Sequence, residues 1–193
     1  MSLLPAFELG LWNAWILMLL SLFVPPLLMW LLYRDVWKSV AKKAGSSAPT
    51  HKRLGYAITI VFYILVVYSI FLPLRLGTAW FHVGLCIFLA GVMFDVMAMM
   101  SFAKTPLDEP VTRGTYRVSR NPIYLGQFLV CIGIGTACLS WIFLLYGAIF
   151  LITTNFYVSA EERFCLEKYE DAYREYMDST PRWLGIPRSR KND

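Results

Sequence analysis

Polar residues that could do chemistry stand in three places in an otherwise apolar chain. The first is Gly114-Thr-Tyr-Arg-Val-Ser-Arg-Asn-Pro-Ile-Tyr-Leu-Gly126, the second the pair Glu161-Glu162, and the third Asp95, a lone acid within Val-Met-Phe-Asp-Val-Met. Arg120, Asn121 and Pro122 open an apolar run, with proline near the first helical position, where its missing N–H costs little. The positive end of that helix dipole attracts a carboxylate. Glu161 and Glu162, at the end of the following run, attract an ammonium. Together they suit a zwitterion such as an amino-acid moiety. Thr105-Pro-Leu-Asp-Glu-Pro110 cannot be helical throughout, because two prolines bracket two acids. Irregular backbone of this kind at a membrane surface is tolerated where it lines a cavity. A carboxylate within a membrane span, such as Asp95, is by default a functional-site hypothesis; the bland alternative is a pairing with an arginine such as Arg120.

The elements that position these groups are membrane helices. The 193 residues are 58% hydrophobic and 16% charged, whereas a soluble domain carries about 25% charged residues. Apolar runs of the length needed to cross the hydrocarbon core occur at 11–33, 54–74, 79–100, 122–139 and 141–159. The first contains Pro25-Pro26, and Met1 to Gly10 lacks the basic region of a cleavable signal, so the run reads as a retained span. Ser140 joins the last two runs with almost no loop, which predicts a helical hairpin. Phe164, Leu166, Tyr169, Tyr173, Tyr176 and Met177 recur at helical spacing among charges, predicting a C-terminal amphipathic helix. The fold class expected is all-α, a polytopic membrane bundle of about five helices. Residues 1–100 are expected to form three N-terminal spans, and 101–193 the connector, hairpin and C-terminal helix that the resemblance given below marks as the cofactor-binding, catalytic region.

The net charge of +5 reflects basic loops of a membrane protein rather than a nucleic-acid partner. Lysines and arginines fill the segments after runs one, three and five, and Arg75 alone lies on the other side. The positive-inside rule then sets the N-terminus outside and the C-terminus in the cytoplasm. The membrane would be the cytoplasmic one in a prokaryote and the endoplasmic reticulum in a eukaryote. Gly77, Gly84, Gly91 and Ala98, with Gly126 and Gly133, recur at seven-residue intervals and predict close backbone approach between helices. Gly133-Ile-Gly135 follows no strand and lies mid-membrane, which argues against a phosphate loop. Cys86, Cys131, Cys138 and Cys165 show no CxxC and no histidine at ligand spacing, and His51 and His82 read as incidental. No metal site is expected.

The residues 114–126 resemble the G-x-Y-x-x-x-R-[HN]-P-x-Y-x-G signature of the isoprenylcysteine carboxyl methyltransferase and phospholipid methyltransferase superfamily. Glu161 to Tyr176 resembles its second signature, E-E-x-x-L-x-x-x-[FY]-x-x-x-Y-x-x-Y, and Pro181-Arg-Trp-Leu-Gly-Ile-Pro187 its usual tail. The resemblance implies an integral membrane methyltransferase that uses S-adenosylmethionine without a Rossmann-type domain. Carried over by position, cofactor contacts fall at Asp108, Glu109, Pro110 and Val111, at Tyr116, at Asn121, Pro122, Ile123 and Tyr124, and at Glu161. The residues agree in chemistry: a carboxylate for the methionine ammonium, aromatics for adenine or sulfonium, and backbone groups for the rest.

Two positions depart from the family pattern. Asn121 stands where many members have histidine, and still donates and accepts hydrogen bonds. Tyr157 stands where the isoprenylcysteine enzymes have an arginine implicated in holding the substrate carboxylate. Without that guanidinium, a carboxylate acceptor loses its best partner. The acceptor is then lipophilic: a phospholipid amine, an isoprenoid, or a small hydrophobic thiol, amine or carboxylate. Arg120, Tyr157, Asp95 and Glu162 are the candidates on the catalytic side, with Asp95, Glu162 or a tyrosine assisting deprotonation of an amine. Two rival readings are an NADPH-dependent enzyme like the sterol reductases, which share a related helix start but are much larger, and a non-catalytic membrane protein retaining the fold.

Overall fold

A computed structural model describes residues 8–32, 52–106 and 108–185. The expected basic loop after the first run (Arg34, Lys38, Lys42, Lys43 and His51), the end of that run at Tyr33 and the final residues 186–193 lie outside the described residues. Among the described residues five α-helices carry the fold: α1 (Trp15–Leu32), α2 (Lys52–Ser69), α3 (Ala79–Lys104), α4 (Pro122–Cys138) and α5 (Trp141–Ser179). A single 3-10 turn, Gly114–Arg117, precedes α4, and no strand occurs among the described residues. Helices α1, α3 and α5 are long and apolar enough to cross a membrane, while α4 and the apolar stretch Thr59–Ser69 of α2 are shorter. At 1.5 Å per residue α4 reaches roughly 25 Å.

The first two helices are shorter than their apolar runs for one shared reason. Pro73 cannot donate a helical hydrogen bond, and the chain around it runs alongside the segment that precedes α1. Ala14 N–H donates to Leu72 O at 2.9 Å and Leu74 N–H to Trp12 O at 3.0 Å, and Asn13 and Pro73 form an isolated bridge. Asn13 is buried, and its amide donates to Glu8 O at 2.6 Å and Ile70 O at 2.7 Å. Backbone groups freed at two helix ends are thus satisfied against each other. Within α1 the helix runs on through Pro25 and Pro26.

Helix α3 is the centre, packed most extensively on α4 and also against α1. The spaced glycines explain this closeness. A Cβ at Gly91 would lie 2.8 Å from Val130 N and 2.9 Å from Gly126 O, and one at Gly133 would lie 2.5 Å from Phe88 N. Gly84 is likewise pressed on the backbone of Ala137. Gly77 does not share in this face. It has a φ of +77° with open space around it and sits in the turn before Thr78, whose hydroxyl caps α3 by accepting from Phe81 N–H at 3.2 Å. The seven-residue spacing simply continued past the start of the helix. Leu139 adopts the left-handed conformation, and Ser140 N–H donates to Gly135 O at 2.8 Å. These two residues turn α4 into α5, the expected hairpin.

The α5 helix runs from the apolar stretch through Glu161-Glu162 to a kink at Glu170, whose backbone is non-helical (φ 47°, ψ −122°), and a further helical segment runs on to Ser179. The part before the kink carries both the hairpin and Glu161-Glu162. Helix α3 also continues past Met100 to Lys104.

Candidate functional site

Adjacent residues on a helix point about a third of a turn apart and do not share neighbours, and this separates the two glutamates. Glu162 is buried between two arginines. Its Oε1 lies 3.1 Å from Arg120 Nε, and its Oε2 accepts from Arg182 Nη2. Arg120 also donates to Met177 O at 3.0 Å, and Arg182 to Asn155 Oδ1 at 3.3 Å and Ser159 Oγ at 3.2 Å. Glu161, one residue earlier, accepts from the Tyr124 hydroxyl at 3.1 Å. Among the described residues no arginine or lysine forms an ion pair with it. One carboxylate meets two guanidinium groups; the other, among the described residues, meets a single neutral hydroxyl.

The start of α4 is held by the chain that follows α5. Arg120 N–H donates to Pro181 O at 3.0 Å and Gly185 N–H to Val118 O at 3.1 Å. Asn121, the residue before Pro122, gives α4 no side-chain cap; its amide donates instead to Arg182 O at 3.1 Å. Among the described residues no side chain caps the first N–H groups of α4, a terminus suited to an anion. Arg182 was not among the residues singled out from sequence, because it stands in a basic tail where one arginine looks like any other. Its signal was the tail pattern itself.

Tyr116 lies in the 3-10 turn, entered through Gly114 at a φ of +63° with its Cα against the Ser101 hydroxyl. The Tyr176 hydroxyl donates to Tyr116 O at 2.7 Å, and Ala98, Tyr173 and Tyr176 pack around the ring with Val111 and Ile123 at the edge. Burial first, then the charges of Glu161 and Asp95, push the Tyr116 hydroxyl above the ordinary tyrosine range, so it stays neutral. Tyr124 and Tyr157 meet edge to face, with centroids 6.4 Å apart. Tyr116, Asn121, Pro122, Ile123, Tyr124, Tyr157 and Glu161 are thus gathered by the start of α4 and the polar part of α5. Pro110 is partly buried, whereas Asp108 and Glu109 are exposed and form no ion pair among the described residues.

Asp95 does not pair with Arg120. It is 2% exposed and accepts from Gln127 Nε2 at 2.5 Å. Its other oxygen rests against Gly126, where a methyl group would collide, so the last glycine of the 114–126 stretch makes room for this carboxylate. Gln127 was not singled out from sequence, since nothing in a one-dimensional pattern marks a partner on a neighbouring helix. It lines a chamber of about 340 Å³ between α2, α4 and α5, together with Phe62, Tyr63, Tyr124, Tyr146 and Phe150. Tyr124 belongs to both places: its hydroxyl meets Glu161 while the residue lines the chamber. No group of three potential metal ligands occurs among the described residues.

No curated protein and no solved structure matches the chain. A family model does: phospholipid methyltransferase, over residues 75–172, just over half of the 193 residues. The matched segment takes in α3, the 3-10 turn, the turn between α4 and α5 and both glutamates, and stops short of Arg182 and the tail that closes on the start of α4. On that match the chain belongs to the phospholipid methyltransferase family of membrane methyltransferases.

Proposed function

We propose that the chain is an integral membrane methyltransferase that takes S-adenosylmethionine and transfers its methyl to a lipophilic acceptor. The observation that carries this reading is the unequal treatment of the two glutamates. Glu161 is a partly buried carboxylate whose partner among the described residues is a single neutral hydroxyl, and an ammonium is the group such a site lacks. The donors fit the cofactor at its other end as well. The uncapped N-terminus of α4 offers N–H groups to a carboxylate, and Tyr116 and Tyr124 offer aromatic faces to a cation. The connector from Asp108 to Val111 supplies acceptors and backbone groups for the remainder.

When bound, S-adenosylmethionine supplies a sulfonium methyl to a nucleophile. The residues of this chain have the task of holding both partners in line, since proximity and alignment carry most of such a transfer. Glu162, Arg120 and Arg182 act as the brace: they lock the start of α4 to α5 and fix the distance between Tyr124 and Glu161. Tyr157, in place of an arginine, keeps that wall neutral, which disfavours a carboxylate acceptor. The chamber holds the acceptor, with Tyr124 as the shared wall. Basic segments after α1, α3 and α5 orient the site to the cytoplasm.

The test is to identify what the protein carries. Purified in mild detergent and denatured, it should release S-adenosylmethionine or S-adenosylhomocysteine, detected by mass spectrometry. Release of NADP would favour reductase chemistry. No ligand on the purified protein, together with no uptake of added S-adenosylmethionine, would leave a non-catalytic membrane protein.

A further inference from the structure

The chamber is apolar and aromatic apart from a few hydroxyls and one amide, Gln127, and among the described residues no cationic side chain lines it. Behind that amide stands Asp95, 2% exposed, receiving Gln127 Nε2 at 2.5 Å. The Oδ1 of Asp95 has no hydrogen-bond partner among the described residues. With the Gln127 nitrogen on Asp95, the amide presents its nitrogen toward α3 and its carbonyl oxygen on the other side. Among the described residues nothing donates to that carbonyl. A carbonyl left without a donor in apolar surroundings is costly unless an occupant supplies one.

We propose that Gln127 orients the methyl acceptor, its carbonyl oxygen accepting a hydrogen bond from the nucleophile's N–H, and that Asp95 is the positioning residue that fixes the amide. This rests on the methyltransferase reading above and adds to it the residues that read the acceptor. The hydrogen bond directs one N–H toward Gln127 and leaves the nitrogen lone pair free on the opposite side. As the lone pair bonds to the methyl carbon, the methyl–sulfur bond breaks and its electron pair stays on sulfur. The positive charge passes to nitrogen, and the ammonium product later loses its proton to water. Tyr63, Tyr124 and Tyr146 line the same space and put aromatic side chains beside the developing cation.

Decylamine, N-methyldecylamine and N,N-dimethyldecylamine carry two, one and no N–H in their reacting neutral forms. Transfer of radiolabelled methyl to each is measured as kcat and KM, with S-adenosylmethionine affinity measured alongside. Gln127→Met should lower kcat/KM roughly tenfold for the first two amines, the worth of one good hydrogen bond, and leave the third within about twofold. Asp95→Asn should show the same selectivity at about a third of the loss, because asparagine donates as well as accepts and lets the amide turn. Asp95→Leu with Gln127→Leu removes both polar partners, strands no buried charge, and should repeat the Gln127→Met profile. Equal losses on all three amines, no loss, or wild-type cofactor binding without transfer to any of them would overturn the proposal. Failure of the wild type to bind S-adenosylmethionine would overturn the methyltransferase reading instead.

Discussion

Replacing Glu162 by alanine should unfold the protein far more readily than replacing its neighbour Glu161. The Glu162 side chain is 4% exposed and faces Arg120 at 10% and Arg182 at 33%. Removing one member of a buried ion pair costs about 3–5 kcal/mol, because a charge is left without a partner. Arg182 can turn partly to water, but Arg120 cannot, so the loss for Glu162→Ala should sit near 3 kcal/mol. Arg182→Ala leaves Glu162 still paired with Arg120 and should cost about half as much, near 1.5 kcal/mol. Glu161→Ala removes one hydrogen bond from Tyr124 and should stay within about 1 kcal/mol of wild type. The assay is thermal unfolding in detergent, followed with a thiol-reactive fluorophore in a Cys86→Ala, Cys165→Ala background, since Cys86 is exposed and Cys165 partly so, whereas Cys131 and Cys138 are buried and react only once the hairpin opens. The reasoning is refuted if Glu161→Ala lowers the midpoint as much as Glu162→Ala does.

Other expectations follow from single contacts. Tyr124→Phe keeps the ring but loses the hydroxyl on Glu161, so S-adenosylmethionine affinity should change severalfold with little change in melting; an unchanged dissociation constant would count against a shared site. Gly133→Ala places a methyl 2.5 Å from Phe88 N and should cost about 1–3 kcal/mol by overpacking. Gly77→Ala meets no atom and should cost about 1 kcal/mol, from its left-handed backbone alone, so the order of the two midpoints checks which glycines lie in the helix contact. Arg182→Lys should behave nearly like Arg182→Ala, because an ammonium cannot reproduce the guanidinium fork across Glu162, Asn155 and Ser159.

What could be read from sequence was what depends on local pattern. Ser140 alone between two apolar runs left room for nothing but a tight turn, and the spaced glycines of α3 and α4 found each other as their periodicity required. Tertiary pairing was hidden. The end of α2 and the start of α1 were set by hydrogen bonds between two segments far apart in the chain, so hydropathy alone ran each helix several residues too far. The glutamate pair shows the same limit at the site. Sequence placed both carboxylates at the end of the hairpin, but which one meets arginines depends on the helix face each occupies and on Arg182 returning from the tail. Asp95 was legible as costly, while its partner Gln127 was visible only once α3 lay against α4.

Glu161, which has no cationic partner among the described residues, is proposed to receive the ammonium of S-adenosylmethionine. Calorimetric titration of the cofactor into wild type and Glu161→Ala in detergent tests it most directly, with folding of both checked by the thiol assay. The expected result is saturable binding to wild type and at least a hundredfold weaker binding to a folded Glu161→Ala protein, the scale of a lost charge-assisted contact. Equal affinity in the two would contradict it.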